Sequence, residues 1–381
     1  MIVQNRVELS QFFNERMNKS YDRLTEEQKL GPDTTLVKTY LLEAHLDEAA
    51  KPNLVLKTLE RLFSQQDARL IGRVAPAAEP LLYTVTTRYG DDQVQLYFDI
   101  SNPRFWVLHS VAASTALDPI IQRLATSILL DRVWLGADFL ESVSELGSFR
   151  GLGLDYDRTA FSSIEMEAHE AALQLKMQLW GNKARDILTM LRDQAFPHET
   201  TLSKVKIKFT DLDAHDFTLA DVKYDGKVTG RGNSFQTHLA LIGRVFNMYQ
   251  DQIRTLEHNY AIDAHVEGET FSLNGEPILF SFERPIADVE NFAEKVFTAS
   301  PPFRLWGTPV RLTSDYVRVE AVDLHVGQTL TFELLPDFIR LFLPAGTCAN
   351  TVLRFYTNLQ HHYDARVKMI RGDGEALLQH V

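Results

Sequence analysis

Cysteine is nearly absent. Cys348 is the only one in 381 residues, so no disulfide can close within the chain and no cysteine-based zinc cluster can form. A lone free cysteine is most often a small buried residue, and Cys348 is read that way. Long apolar runs are also missing. No stretch reaches the roughly 18 consecutive apolar residues that a membrane-spanning helix needs. The opening residues, MIVQNRVELSQFF, have no basic segment followed by an apolar one, the pattern of a secretory signal. The expectation is a cytoplasmic protein with no membrane partner. Positive charge is in deficit: 39 Lys and Arg stand against 51 Asp and Glu, a net charge of −12. Such a chain repels a phosphate backbone as a whole, so nucleic acid could be held only by a local basic face. No complete catalytic motif, Walker loop or dinucleotide fingerprint occurs.

What is present is an ordinary globular composition, 45% hydrophobic and 24% charged, sufficient for sizeable cores without staples. The length is that of two or three domains. Residues 1–75 read as a helical N-terminal region. Its segments carry Val7, Phe12, Met17 and Leu24, then Leu36, Tyr40, Leu41 and Leu46, then Leu54, Leu59, Leu62 and Phe63. Asn53 after Pro52 marks a helix start, Gly31-Pro32-Asp33 a break, and residues 75–80 a linker.

From Leu81 the texture becomes strands closed by turns. Residues 82–89 and 94–98 flank Gly90-Asp91-Asp92 as a hairpin, and residues 105–109 make a third strand before a helix. Leu173, Leu175, Met177 and Leu179 alternate with Gln174, Lys176 and Gln178, the period of a strand with one wet face. Later rounds repeat strands followed by a helix, with Asn274-Gly275 predicting a hairpin turn. The fold class is therefore α+β: a helical N-terminal region followed by tandem antiparallel sheet-plus-helix units. The domain reading is 1–75, 80–196 and 201–370, the last open to division at 300 into two fused units.

Residues 228–256 are the most informative stretch. A strand enters Gly230-Arg231-Gly232-Asn233-Ser234, and a helix follows with Phe235, Leu239, Ile242, Phe246, Tyr249, Ile253 and Leu256 on one seam. A glycine-rich loop at a helix start can hold an anion on free backbone N–H groups, here through Arg231, Gly232, Asn233 and Ser234. The alternative is a plain strand-to-helix turn with Asn233 or Ser234 as the cap. Lys204, Lys206, Lys208, Lys223, Lys227 and Arg231 cluster in one stretch, and Lys204, Lys206 and Lys208 alternate with Val205, Ile207 and Phe209, which would set those three lysines on one strand face as a positive stripe for a polyanion. Five aspartates nearby could neutralise that face. Asp213, Asp221 and Lys223 form an acid followed by Asp-x-Lys, a weak nuclease-like set that would use magnesium or manganese. His361 and His362 diverge on a helix and would need a distant partner to bind metal, although His361 could pair with Asp364.

Three functions follow. The first is a non-enzymatic protein-interaction or assembly subunit of a cytoplasmic complex, needing no cofactor and binding a protein partner or its own copy. The second is nucleic-acid or nucleotide binding through the lysine strand and residues 230–234. The third is a metal-dependent nuclease using Asp221 and Lys223.

Overall fold

A computed structural model describes residues 3–27, 36–65, 70–162, 174–210, 215–267, 270–371 and 374–377. The chain is α+β with mostly antiparallel sheets. Helix α1 (Arg6–Glu27) is followed by strand β1 (Val37–Ala44), so the segment around Leu36–Leu46 is not helical. All eight residues of β1 are buried. A strand covered on both faces reads as a continuous apolar run without alternation, which mimics a helix segment. Helix α2 (Pro52–Leu62) begins with Pro52 in its first turn and Lys51, not Asn53, as N-cap.

Strands β2 (Ser64–Gln65) and β3 (Leu70–Pro76) occupy the end of the supposed helical region and the start of the supposed linker. The hairpin of β4 (Leu82–Tyr89) and β5 (Asp92–Asp99) forms about the Gly90 turn. Then come β6 (Phe105–Ser110), α3 (Ser114–Ala125), β7 (Leu130–Arg132) and α4 (Ala137–Glu145). Next are β8 (Ser148–Asp157), β9 (Gln174–Trp180) and α5 (Ala184–Met190), which runs on as a π-turn over Leu191–Ala195. Leu173, placed first in that alternating strand, lies outside the described residues, as do Gly31, Pro32 and Asp33.

The remaining elements are β10 (Leu202–Thr210), β11 (Phe217–Lys223), β12 (Lys227–Gly232), α6 (Phe235–Thr255), β13 (Asp263–Glu267), β14 (Thr270–Asn274) and β15 (Ile278–Ser281). After them come α7 (Val289–Val296), β16 (Leu305–Thr313), β17 (Tyr316–Asp323), β18 (Thr329–Leu334), β19 (Phe338–Phe342), α8 (Asn350–His362) and β20 (Lys368–Ile370). Asn274-Gly275 is not a hairpin turn: β14 pairs with β13, whereas β15 pairs with β19 and β20.

Two compact units divide the chain. The first holds Met1–Val133, Val143–Phe149 and Lys206–Phe246, and the second Trp134–Ser142, Arg150–Val205 and Asn247–Val381. In the first, the strand order is β2-β3-β4-β5-β6-β1-β12-β11-β10, with β7 also on β1. One sheet face packs under α2 and α3, through Tyr40, Leu42, Val85, Leu96 and Trp106 against Val55, Leu59, Leu117 and Ile120. The opposite face carries α1 and the start of α6, with Val37, Leu82 and Tyr97 against Phe13, Met17 and Phe235. Phe13 and Phe235 stack with centroids 4.8 Å apart.

In the second unit, β16-β17-β18-β19-β15-β20 form a sheet. Its core side includes Phe280, Phe332 and Leu341 with Phe355 of α8. Strand β16 is an edge. Gly307 N donates to Phe297 O and Leu305 O accepts from Ala299 N, so odd-numbered residues turn their backbones outward there. Pro309 shares that parity and offers no N–H, which blunts the edge against unwanted strand addition.

Candidate functional site

The first unit gathers most of the charged residues singled out in the sequence onto one face of β10, β11 and β12. The registers Tyr40↔Lys227, Leu219↔Arg231 and Asp221↔Thr229 put Lys227, Arg231 and Asp221 on one side. Lys206 joins them from β10 through an ion pair of 3.3 Å to Asp221. Lys208 lies over the Phe217 ring, 4.6 Å from its centroid. Burial alternates from Lys204 to Phe209 of β10, with Val205, Ile207 and Phe209 inward and the lysines half-buried. Lys206, Lys208, Lys223, Lys227 and Arg231 share this face with Asp118 and Asp221, and the Arg132–Asp225 pair stands near Tyr40 beside them. Lys204 sits on the same side of β10, in the part assigned to the second unit.

Residues 230–234 are not a loop. Gly230, Arg231 and Gly232 belong to β12, and only Asn233 and Ser234 connect it to α6. Both glycines serve close packing. A Cβ at Gly230 would fall 2.5 Å from His238 Nδ1, and one at Gly232 would fall 2.3 Å from Phe217 O. Asn233 accepts from Phe217 N at 2.8 Å and donates to His215 O at 2.8 Å, which locks the strand end. Ser234 Oγ accepts from Thr237 N at 3.2 Å as a helix cap, and Phe235 N donates to Asn14 Oδ1 of α1 at 2.9 Å. The α6 start is thus bonded to its own chain, and the Arg231 side chain on β12 is half-buried.

Asp213 lies outside the described residues, together with Asp211. Asp221 and Lys223 are neighbours on the basic face, and Asp221 is held by Lys206. Among the described residues no group of three His, Cys, Asp or Glu could hold a metal ion. Cys348 is buried, as read. His361 is buried, with Nδ1 2.7 Å from Asp155 O, and His362 Nδ1 is 2.9 Å from Asp157 O. Asp364 meets His198 at 3.0 Å.

Two polar clusters in the first unit had no signal in residue spacing. Lys227 Nζ, nearly buried, donates to Asp118 at 2.6 and 2.9 Å and to Ser114 Oγ at 3.1 Å, and Tyr40 donates to Asp118 at 2.6 Å. Burial alone would raise the Asp118 carboxyl, but Lys227 and Tyr40 outweigh it and hold the pKa down. On the opposite face, Thr39 Oγ1 lies 2.9 Å from His109 Nδ1 and 2.8 Å from His238 Nε2. Burial pushes His109 down to about 4 and His238 to about 3. Neither is suited to carry a proton near neutrality. The second unit holds a cavity of about 630 Å³ in which Arg366 and Lys368 both bond Glu283 and Tyr356 bonds Asp138. Its charges are largely satisfied internally.

A family model for MJECL33-like proteins matches residues 1–378. The chain belongs to that family. A protein of Methanocaldococcus jannaschii, described as uncharacterized protein MJECL33, is 27% identical over 402 aligned positions, covering 95% of this chain and 93% of the relative. The similarity spans both units. No helix among the described residues is long and apolar enough to cross a membrane.

Proposed function

We propose that the first unit binds nucleic acid across the basic face of β10, β11 and β12. One observation carries the reading: in a chain of net charge −12, Lys206, Lys208, Lys223 and Arg231 lie on one sheet face with Asp221, beside the buried Lys227–Asp118 pair. Such a patch supplies the local positive field that phosphate recognition needs. The helix start of α6 plays no part, because its N–H groups at Phe235 and Thr237 already have acceptors. The test is fluorescence anisotropy with labelled oligonucleotides over a range of salt. Affinity should fall with salt, and Lys206→Ala with Arg231→Ala should weaken binding and make the log–log salt slope shallower by roughly 1.4–1.8. Unchanged affinity in a folded double variant overturns the reading.

A second reading, a protein-interaction or assembly subunit, draws on β9. Its inner row, Leu175, Met177 and Leu179, remains half-exposed beside the buried Leu152, Leu154 and Tyr156. The α6 seam lends it no support, since Phe235, Ile242, Phe246, Tyr249, Ile253 and Leu256 are buried in the chain's own core. Concentration-dependent mass by light scattering and pull-down from lysate test it. A strict monomer that captures nothing counts against it.

A further inference from the structure

We infer that the cavity of the second unit is a binding site for a guanine nucleoside, whose base edge is read by Asp138 and Gln360. The inference does not rest on the nucleic-acid reading of the first unit. The volume of about 630 Å³ falls within the roughly 300–1,000 Å³ of small-molecule sites. The charged lining is balanced, with Arg192, Arg366 and Lys368 against Asp138, Asp193 and Glu283. Its cations are engaged: Arg366 and Lys368 bond Glu283, and Arg192 bonds Glu141. A ligand is therefore held there by hydrogen bonds rather than by net charge. Gln360 is 2% exposed, and its Oε1 accepts from Ala137 N at 2.9 Å. Among the described residues its amide N–H groups meet no acceptor, and the side chain lines the cavity. Asp138 is exposed on the same wall, where its Oδ2 accepts from Tyr356 at 2.9 Å and its Oδ1 meets no donor among the described residues. Burial, then Asp138 itself, pushes the Tyr356 hydroxyl well above its ordinary pKa, so it stays protonated and holds the carboxylate in place. Ala137 adjoins Asp138, and Tyr356 lies one turn before Gln360 on α8, so the amide and the carboxylate are neighbours. Gly136 permits this approach, since a Cβ there would come within 3.2 Å of Gln360 Oε1.

A carboxylate beside an amide offers two adjacent acceptors next to a donor. Guanine carries the complement along one edge: N1–H and the N2 amino group as neighbouring donors, with O6 as the acceptor beside them. Asp138 takes the two donors, and Gln360 Nε2 donates to O6. Adenine and cytosine place one amino donor next to a ring-nitrogen acceptor, which sets a lone pair against Asp138. Uracil has one N–H between two carbonyls and meets the same conflict. A cluster built only for stability would spend the donors of a buried amide within the chain.

Isothermal titration of the intact protein with guanosine, inosine, adenosine and guanosine monophosphate tests the site. Wild type should bind guanosine about ten- to hundred-fold more tightly than adenosine, with inosine, which lacks the N2 amino group, in between. The monophosphate should match guanosine closely, because the lining carries no net charge. Asp138→Asn keeps an acceptor for Tyr356 at an exposed position and should lower guanosine affinity about ten-fold or more. Gln360→Glu keeps the acceptor for Ala137 N, removes the donors and should act in the same direction. Adenosine bound as tightly as guanosine, a monophosphate bound where its nucleoside is not, or a folded Asp138→Asn variant with unchanged guanosine affinity overturns the inference. So does a wild type that binds none of the four. Each of these results leaves oligonucleotide binding at the lysine face of the first unit to its own test.

Discussion

At Gly230, the absence of one methyl group sets how closely β12 can approach α6. The His238 ring occupies the space a side chain would need, with Cε1 2.6 Å and Nδ1 2.5 Å from the would-be Cβ. Gly230→Ala should therefore destabilise the protein by about 1–3 kcal/mol, the usual cost of overpacking, seen as a lower urea midpoint at unchanged slope. The same histidines carry a pH dependence. His109 and His238 are held neutral by burial, with folded values near 4 and 3 against an ordinary 6.5. Below 6.5 the unfolded chain takes up protons that the folded one refuses. Stability is full above pH 6.5 and falls as pH drops toward 4 and 3. Between pH 6.5 and 5, where carboxylates remain ionised, the urea midpoint should decline with acidification, and less steeply in His238→Gln. A flat profile in the wild type would contradict the neutral pair.

Among elements, helix α8 is fixed to its sheet by a buried charge. Arg354 is fully buried, donates to Phe303 O at 2.8 Å and pairs with the fully buried Asp323, which also accepts from Thr351 at 2.7 Å. Burial would raise the Asp323 carboxyl, but Arg354 and His325 outweigh it and lower the pKa. Arg354→Met should cost about 3–5 kcal/mol by stranding the carboxylate, and adding Asp323→Asn should restore part of that loss in denaturant melts. Elements of this kind were partly legible in advance. The β4–β5 hairpin, β9 and the α6 seam follow from period and turn residues, because each has one wet face or a dedicated turn. Strand β1 does not, since burial on both faces erases its alternation. The Asn274-Gly275 turn misled because φ > 0 at Gly275 serves a connection between strands that do not pair with each other. At the candidate site, the alternation of Lys206 and Lys208 was visible, and so was their grouping with Lys223, Lys227 and Arg231. The burial of Lys227 against Asp118 and Tyr40 was not, because it depends on which elements lie side by side.

Over the whole molecule, sequence order and spatial order disagree. β1 lies between β6 and β12, so a strand made at residue 37 waits for one made at residue 227. The first unit draws on three separate stretches of chain, the last ending at Phe246. A ribosome emits these in sequence. β7 can cover Leu42–Ala44 early, but the Val37–Tyr40 part of the same β1 edge faces solvent until about two hundred further residues have followed it, a delay of roughly ten to forty seconds at common elongation rates. Throughout that interval an apolar strand edge is open to wrong partners. Chains arrested after Val205 should therefore be cut by protease within residues 37–40 and bind holdase chaperones, while chains extended past Phe246 should resist cleavage there. Equal resistance in both would mean that β1 finds a temporary neighbour. In a cell, the expected liability of this protein is thus its yield of folded chains per chain begun, sensitive to translation speed and to chaperone supply.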